Sequence, residues 1–317
     1  MTNVDRVSTA QQTAYMLGQI NKANAALDKT TQQIASGNKA TTYAGFGSQT
    51  QLLQATISAN ARNSAYTAAT TLATTQTDIQ DTQLTSLSAL AGQLKQAVSD
   101  SVANNDPSTL MAQVQNIFSQ AASILNSQDA NGDYIYGGGN STNPPLSVNS
   151  LSALTALPSA SNAFVNGNDL KSVQVGDGQT VTYGLAASSI GTGLMQALQD
   201  IANFDAGSGG NFSGSTTLSQ AQGTFLDSQI SSLAGVGTGL NNVTAANGGI
   251  YNQLKGAAGQ QSDMKTLYSG FISNIQDTNM ADAATQLQLN QTALQAALQV
   301  TATLNRLTLL NYLPVGG

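Results

Sequence analysis

Residues 279–313 read NMADAATQLQLNQTALQAALQVTATLNRLTLLNYL, a stretch without Gly or Pro whose charged residues are Asp282 and Arg306. Its apolar residues, Met280, Ala283, Leu287, Leu294, Ala297, Leu298, Leu304 and Leu307, recur at the three-and-four spacing of one helix face. Gln, Asn and Thr fill the other face. A long, weakly amphipathic and nearly uncharged helix cannot bury its stripe alone, so it needs partner helices. The first forty residues offer one, because Ala10, Leu17, Ile20, Leu27 and Ile34 fall at steps of seven, three, seven and seven. The two chain ends are expected to pack on each other or on copies of themselves.

Working inward, residues 6–36 read as a first helix closed by Ser36 and Gly37. After a Gly-containing loop, residues 49–103 read as one very long helix whose buried side is marked by Leu52, Ile57, Leu72, Ile79, Leu87, Leu90, Leu94 and Val98. Asp106 and Pro107 then suit an N-cap and first helical position for a third helix on Leu110, Val114, Ile117, Ala121 and Ile124. Residues 134–136 suggest a short aromatic strand before a Gly/Asn/Pro cluster. Val173 and Val175, then Val181 and Tyr183, alternate around Gly176-Asp177-Gly178, which predicts a hairpin. That hairpin, packed by Leu194, Leu198 and Ile201 of a following helix, is the expected core of an insertion over 141–214. Helical pattern resumes from 218 to 275, weakened by Gly235, Gly237, Gly239, Gly248 and Gly249.

The expected fold is therefore mainly α: an elongated rod of long helices, with the terminal helices paired and a small α/β or β-rich central insertion. Three domains are expected, namely 1–40 with 279–317, 41–140 with 215–278, and 141–214.

Composition removes several function classes. Only 8% of the 317 residues are charged, about a third of the usual share. Surfaces this poor in charge suit burial by neighbours better than exposure on a solitary monomer. A net charge of −6 offers no basic stripe for phosphates, which argues against nucleic acid as a partner. His, Cys, Trp and Glu are all absent. Thiolate metal sites, disulfides and Ser-His-Asp arrangements are thereby excluded, and neither a catalytic site nor a cofactor is expected. Asp78 and Asp81 read as a solvated helix face. Residues 129–133, DANGD, begin like a calcium loop but lack the closing Glu, so they read as a turn. No secretory signal pattern and no eighteen-residue apolar run is present, so neither a cleaved signal peptide nor membrane insertion is expected.

The ends also carry a resemblance. Residues 280–313 are similar to the C-terminal domain shared by flagellins and hook-associated protein 3, a Gln-rich helix with ALQA and a terminal LTLLNYL. Residues 6–40, RVSTAQQTAYMLGQINKANAALDKTTQQIASGNKA, resemble the matching N-terminal helix, with its turn at Ile34, Ser36, Gly37 and Lys39. DANGDYIYGGGNSTNPP at 129–145 and SVQVGDGQTVTYGLAASSIGTGLMQALQDI at 172–201 resemble segments of the junction protein. The acidic segment usual after the Gly turn is replaced here by TTYAGFGS at 41–48.

The resemblance implies a structural subunit of the bacterial flagellum whose terminal helices form an inner-tube coiled coil. Leu17, Ile20, Leu27, Ile34, Leu287, Leu294, Leu298, Leu304 and Leu307 are the assembly-interface residues expected on that basis. It further implies export through the flagellar type III apparatus, with or without a chaperone, to an extracellular place in the flagellum. The implied partners are copies of the chain and other axial proteins, hook-associated protein and flagellin. Filament-forming flagellin and a flagellin-like surface adhesin are the alternatives to a hook-filament junction protein.

Overall fold

A computed structural model describes residues 2–310, with side chains for 11–303 and for Arg306. The fold is mainly α. Its helices are α1 (Thr2–Ser36), α2 (Thr50–Ala103), α3 (Leu110–Leu125), α4 (Leu151–Thr155), α5 (Ala187–Ala206), α6 (Gln220–Gln276) and α7 (Met280–Leu310), with a single hairpin among the described residues. Its strands are β1 (Lys171–Gly176) and β2 (Gln179–Tyr183). Packing divides the chain into two units: Asn63–Asp263, and the residues on either side of it. The central unit therefore includes most of α2 and α6 together with everything between them.

Within this unit α2 and α6 run antiparallel on strict seven-residue repeats. The buried stripe of α2 carries Asn63, Thr70, Thr77, Leu84, Ala91 and Val98, interleaved with Ala73, Gln80, Leu87 and Leu94. That of α6 carries Leu226, Leu233, Leu240, Asn247, Leu254 and Gln261. A sustained seven-residue period keeps one seam facing the partner helix. The glycines of α6 do not interrupt it. Gly235, Gly237, Gly239, Gly248 and Gly249 all face open space, so their cost is one of propensity alone, and tertiary packing overrides it.

The buried face of α2 differs from the expected one. Leu52, Leu72 and Ile79 are exposed, and the buried positions are their neighbours Leu53, Ala73 and Gln80. The stripe from 63 to 80 is largely polar, so the apolar letters do not mark it.

The seam changes character along its length. From Leu84 to Val98 it joins the main core, where α3 contributes Leu110, Val114, Phe118 and Leu125, α5 contributes Ile190, Leu194, Leu198 and Ile201, and α6 contributes Leu226, Leu233 and Leu240. Fully burying each such side chain stabilises by about 1.5–3 kcal/mol, so this cluster dominates the unit. Leu146, Leu151 and Leu154 close it, held by Asn126, whose amide both donates to and accepts from the Leu146 backbone at 2.9 Å. Gln199, itself buried, donates to the carbonyls of Leu154 and Leu157 at 2.8 and 2.9 Å.

The hairpin forms at the expected place. Val173 pairs with Val181, and Gly178 at φ +71° completes the turn. Its packing is not the expected one. Val173, Val175 and Tyr183 rest on Ala73 of α2 and Leu254 of α6, while Leu194, Leu198 and Ile201 belong to the main core. Residues 141–214 thus have no core of their own. Alternation identifies the apolar face of a hairpin but not what covers it.

Two further expectations are corrected. Residues 134–136 form no strand: Tyr134 makes an isolated bridge with Gln128, and Tyr136 is fully buried, its hydroxyl donating to Gln83 Oε1. Helix α3 begins at Leu110 rather than beside Pro107, because Asp106 Oδ1 accepts the Ser108 N–H at 3.0 Å and holds a preceding turn. That bond also lowers the Asp106 pKa below the ordinary carboxylate value.

Candidate assembly surface

The two chain ends meet in the other unit, where α1 packs antiparallel against α7. The arrangement starts at the turns. Gly37 takes φ +72° and donates to Gln33 O at 2.9 Å, ending α1 with a left-handed cap. The same turn pairs with the one joining α6 to α7: Lys39 N donates to Gln276 O at 2.7 Å and Thr278 N to Gly37 O at 2.8 Å. The Lys39 ammonium adds a bond to Asn274 O at 2.6 Å. Asn279 then caps α7, its Oδ1 accepting from the Ala281 N–H at 3.0 Å, with Asp282 favourably placed in the first turn.

From these turns the helices run side by side. Their less exposed residues are Ile20, Ala23, Leu27, Thr30 and Ile34 on α1, and Ala283, Leu287, Asn290, Leu294 and Ala297 on α7. In the middle of this seam Asn290 Nδ2 donates to Thr30 Oγ1 at 3.0 Å and to Ala26 O at 3.3 Å. A polar pair inside an otherwise apolar heptad stripe fixes which turn faces which.

Of the residues expected at an assembly interface, Ile20, Leu27, Ile34, Leu287 and Leu294 lie half-buried along this α1/α7 seam. Leu17 and Leu298 point elsewhere and are about half exposed, at 52% and 50%. Leu304 and Leu307 lie outside the described side chains. Tyr15, Leu289 and Val300 are also exposed. Leu289 and Val300, about three turns apart, share one side of α7, and Leu298 lies on another, so the uncovered apolar residues are spread round the helix. Thr30 and Asn290 escape an apolar count of the stripe. Their signal is an Asn falling three residues after Leu287 and four before Leu294.

The acidic residues assemble no chemistry. Asp129 Oδ1 accepts from the N–H groups of Asn131 and Asp133, and Asp133 Oδ1 accepts from Ser141 Oγ, so the DANGD segment is a self-satisfied turn. Among the described residues no three His, Cys, Asp or Glu side chains converge, and no helix is long and apolar enough to cross a membrane.

The geometry thus defines a mainly α protein in which the first and last helices pair with each other in one unit and two long helices share a heptad seam in the other. Residues 228–313 match the family model of the bacterial flagellin C-terminal helical region. No curated protein matches the chain by sequence. Among solved structures it is similar to a putative flagellar hook-associated protein from Vibrio parahaemolyticus, with a TM-score of 0.59 and 18% identity over 72% of this chain and 97% of that one. It is also similar to FlgL from Bacillus cereus, with a TM-score of 0.52 and 13% identity over 70% of this chain and 98% of that one. Both likenesses are of fold.

Proposed function

We propose that this chain is a structural subunit of the bacterial flagellum that joins hook to filament, in the manner of hook-associated protein 3. The observation that carries the reading is the pairing of the flagellin-type C-terminal region with α1, which leaves Leu17, Leu289, Leu298 and Val300 uncovered. In this reading residues 1–40 with 279–317 form the inner, tube-building domain. The long helices over 41–140 and 215–278 surround it, and 141–214 faces outward. The exposed apolar residues meet copies of the chain and other axial proteins, flagellin and hook-associated protein. The subunit reaches the extracellular flagellum through the type III export apparatus, with or without a chaperone. A structural role also fits a chain without His, Cys or Glu.

A filament-forming flagellin is the second reading, favoured by the same C-terminal match. Labelling purified flagella with an antibody against this chain separates the two. A single band at the distal end of the hook is the expected result. Label along the whole filament supports the second reading, and no label on flagella removes both.

A further inference from the structure

We infer that the β1–β2 hairpin is a clasp that holds the polar stretch of the α2/α6 seam shut, making that stretch a separately opening section of the central unit. The seam from Asn63 to Gln80 and from Asn247 to Gln261 is buried but polar. Between the helices, Asn247 Nδ2 donates to Thr77 O at 3.0 Å and Asn63 Nδ2 to Gln261 O at 2.8 Å. Gln80, fully buried, has no hydrogen-bond partner on either amide atom, and neither Asn247 Oδ1 nor Gln261 Oε1 has one. A stretch with little apolar burial and unmet polar groups has little of its own to keep it closed.

The hairpin supplies what the seam lacks. Val173, Val175 and Tyr183 cover Ala73 and Leu254, giving this stretch its one apolar cluster. Gln261 Nε2 donates at 2.8 Å both to Thr70 Oγ1 across the seam and to Val175 O of β1, so one buried amide ties all three elements. At the turn, Tyr66 donates to Asp177 Oδ1 at 2.7 Å. The main core shares none of these side chains, which separates the clasped stretch from the apolar one beyond Leu84.

The test is amide hydrogen exchange on the full chain and on a variant with Lys171–Tyr183 replaced by two glycines. Lys171 and Tyr183 are cross-strand partners, so a short link closes the gap. Exchange in 63–80 and 247–261 should accelerate about tenfold or more, while 84–98 and 226–240 stay at the wild-type rate. Unchanged exchange in the polar stretch, or equal acceleration in both stretches, overturns the inference. If the deletion does not fold, Gln261→Ala is judged by the same comparison, with an expected acceleration of about fivefold, the loss of one hydrogen-bonding side chain.

Discussion

Tyr136 shows how one residue of this chain becomes legible only in three dimensions. Its hydroxyl is buried against Gln83, and burial raises its pKa far above the ordinary tyrosine value near 10. Tyr183, under the hairpin, is raised by the same cause to a smaller extent. Both groups keep their protons in the folded state at a pH where the unfolded chain has lost them. Stability from this source is therefore complete below about pH 10 and falls as pH rises beyond it, by up to about 1.4 kcal/mol per pH unit for Tyr136. Tyr136→Phe is expected to remove most of that alkaline slope while costing about 1 kcal/mol at neutral pH, because Gln83 Oε1 loses its donor. Urea unfolding of both proteins between pH 8 and 11 checks this; an unchanged slope in the variant would place the sensitivity elsewhere. The glycines at 137–139 belong to the same scale. A Cβ on Gly138 would run into the Gly167 carbonyl, and one on Gly167 into the Gly138 carbonyl. The run of three glycines reads in sequence as a breaker, and its use for backbone-on-backbone approach depends on a partner almost thirty residues away.

At the scale of elements, the long helices are legible in the sequence, the short α4 is not, and helix phase is only partly so. The ends of α2 and the hairpin register follow from Gly, Pro and alternation, which are local signals. The apolar letters located the buried side of α2 beyond Leu87, where the stripe is apolar, and missed it between 63 and 80, where Thr, Asn and Gln occupy the seam. Glycine read as weakness in α6 overstated a local cost that long-range packing absorbs. Gly235→Ala and Gly239→Ala accordingly should each stabilise the central unit by about 0.5–1 kcal/mol, since both positions are exposed and have open space for a methyl group. A lower unfolding midpoint in either variant would show that the glycine has a packing role. The terminal pair invites a contrast of two leucines four residues apart. Leu294 lies in the α1/α7 seam and Leu298 outside it. Leu294→Asp places a carboxylate against α1 and should weaken the helix pair by about 1–3 kcal/mol, read as loss of helical circular dichroism from the isolated chain. Leu298→Asp should leave that signal unchanged and, if this face meets other subunits, abolish incorporation into flagella. Wild-type incorporation of Leu298→Asp would remove its face from the proposed interface.

For the whole molecule, the sequence suggests an insertion nested in a helical frame, and the packing shows how far that frame depends on it. Removing 141–214 deletes Leu146, Leu154, Ile190, Leu194, Leu198 and Phe212 from the main core. At about 1.5–3 kcal/mol each, their loss matches or exceeds the 5–15 kcal/mol by which a whole domain is typically stable. Replacing 141–214 with a Gly/Ser linker is therefore expected to abolish cooperative unfolding of the Asn63–Asp263 unit. Replacing only Lys171–Tyr183 spares that cluster and should preserve a cooperative transition of the main core at the wild-type midpoint, since the two clusters share no side chains. Thermal unfolding followed by circular dichroism distinguishes the two variants directly. A sharp transition at the wild-type temperature in the longer deletion would mean that α2, α3 and α6 pack without α5, and that these residues are an autonomous insertion after all.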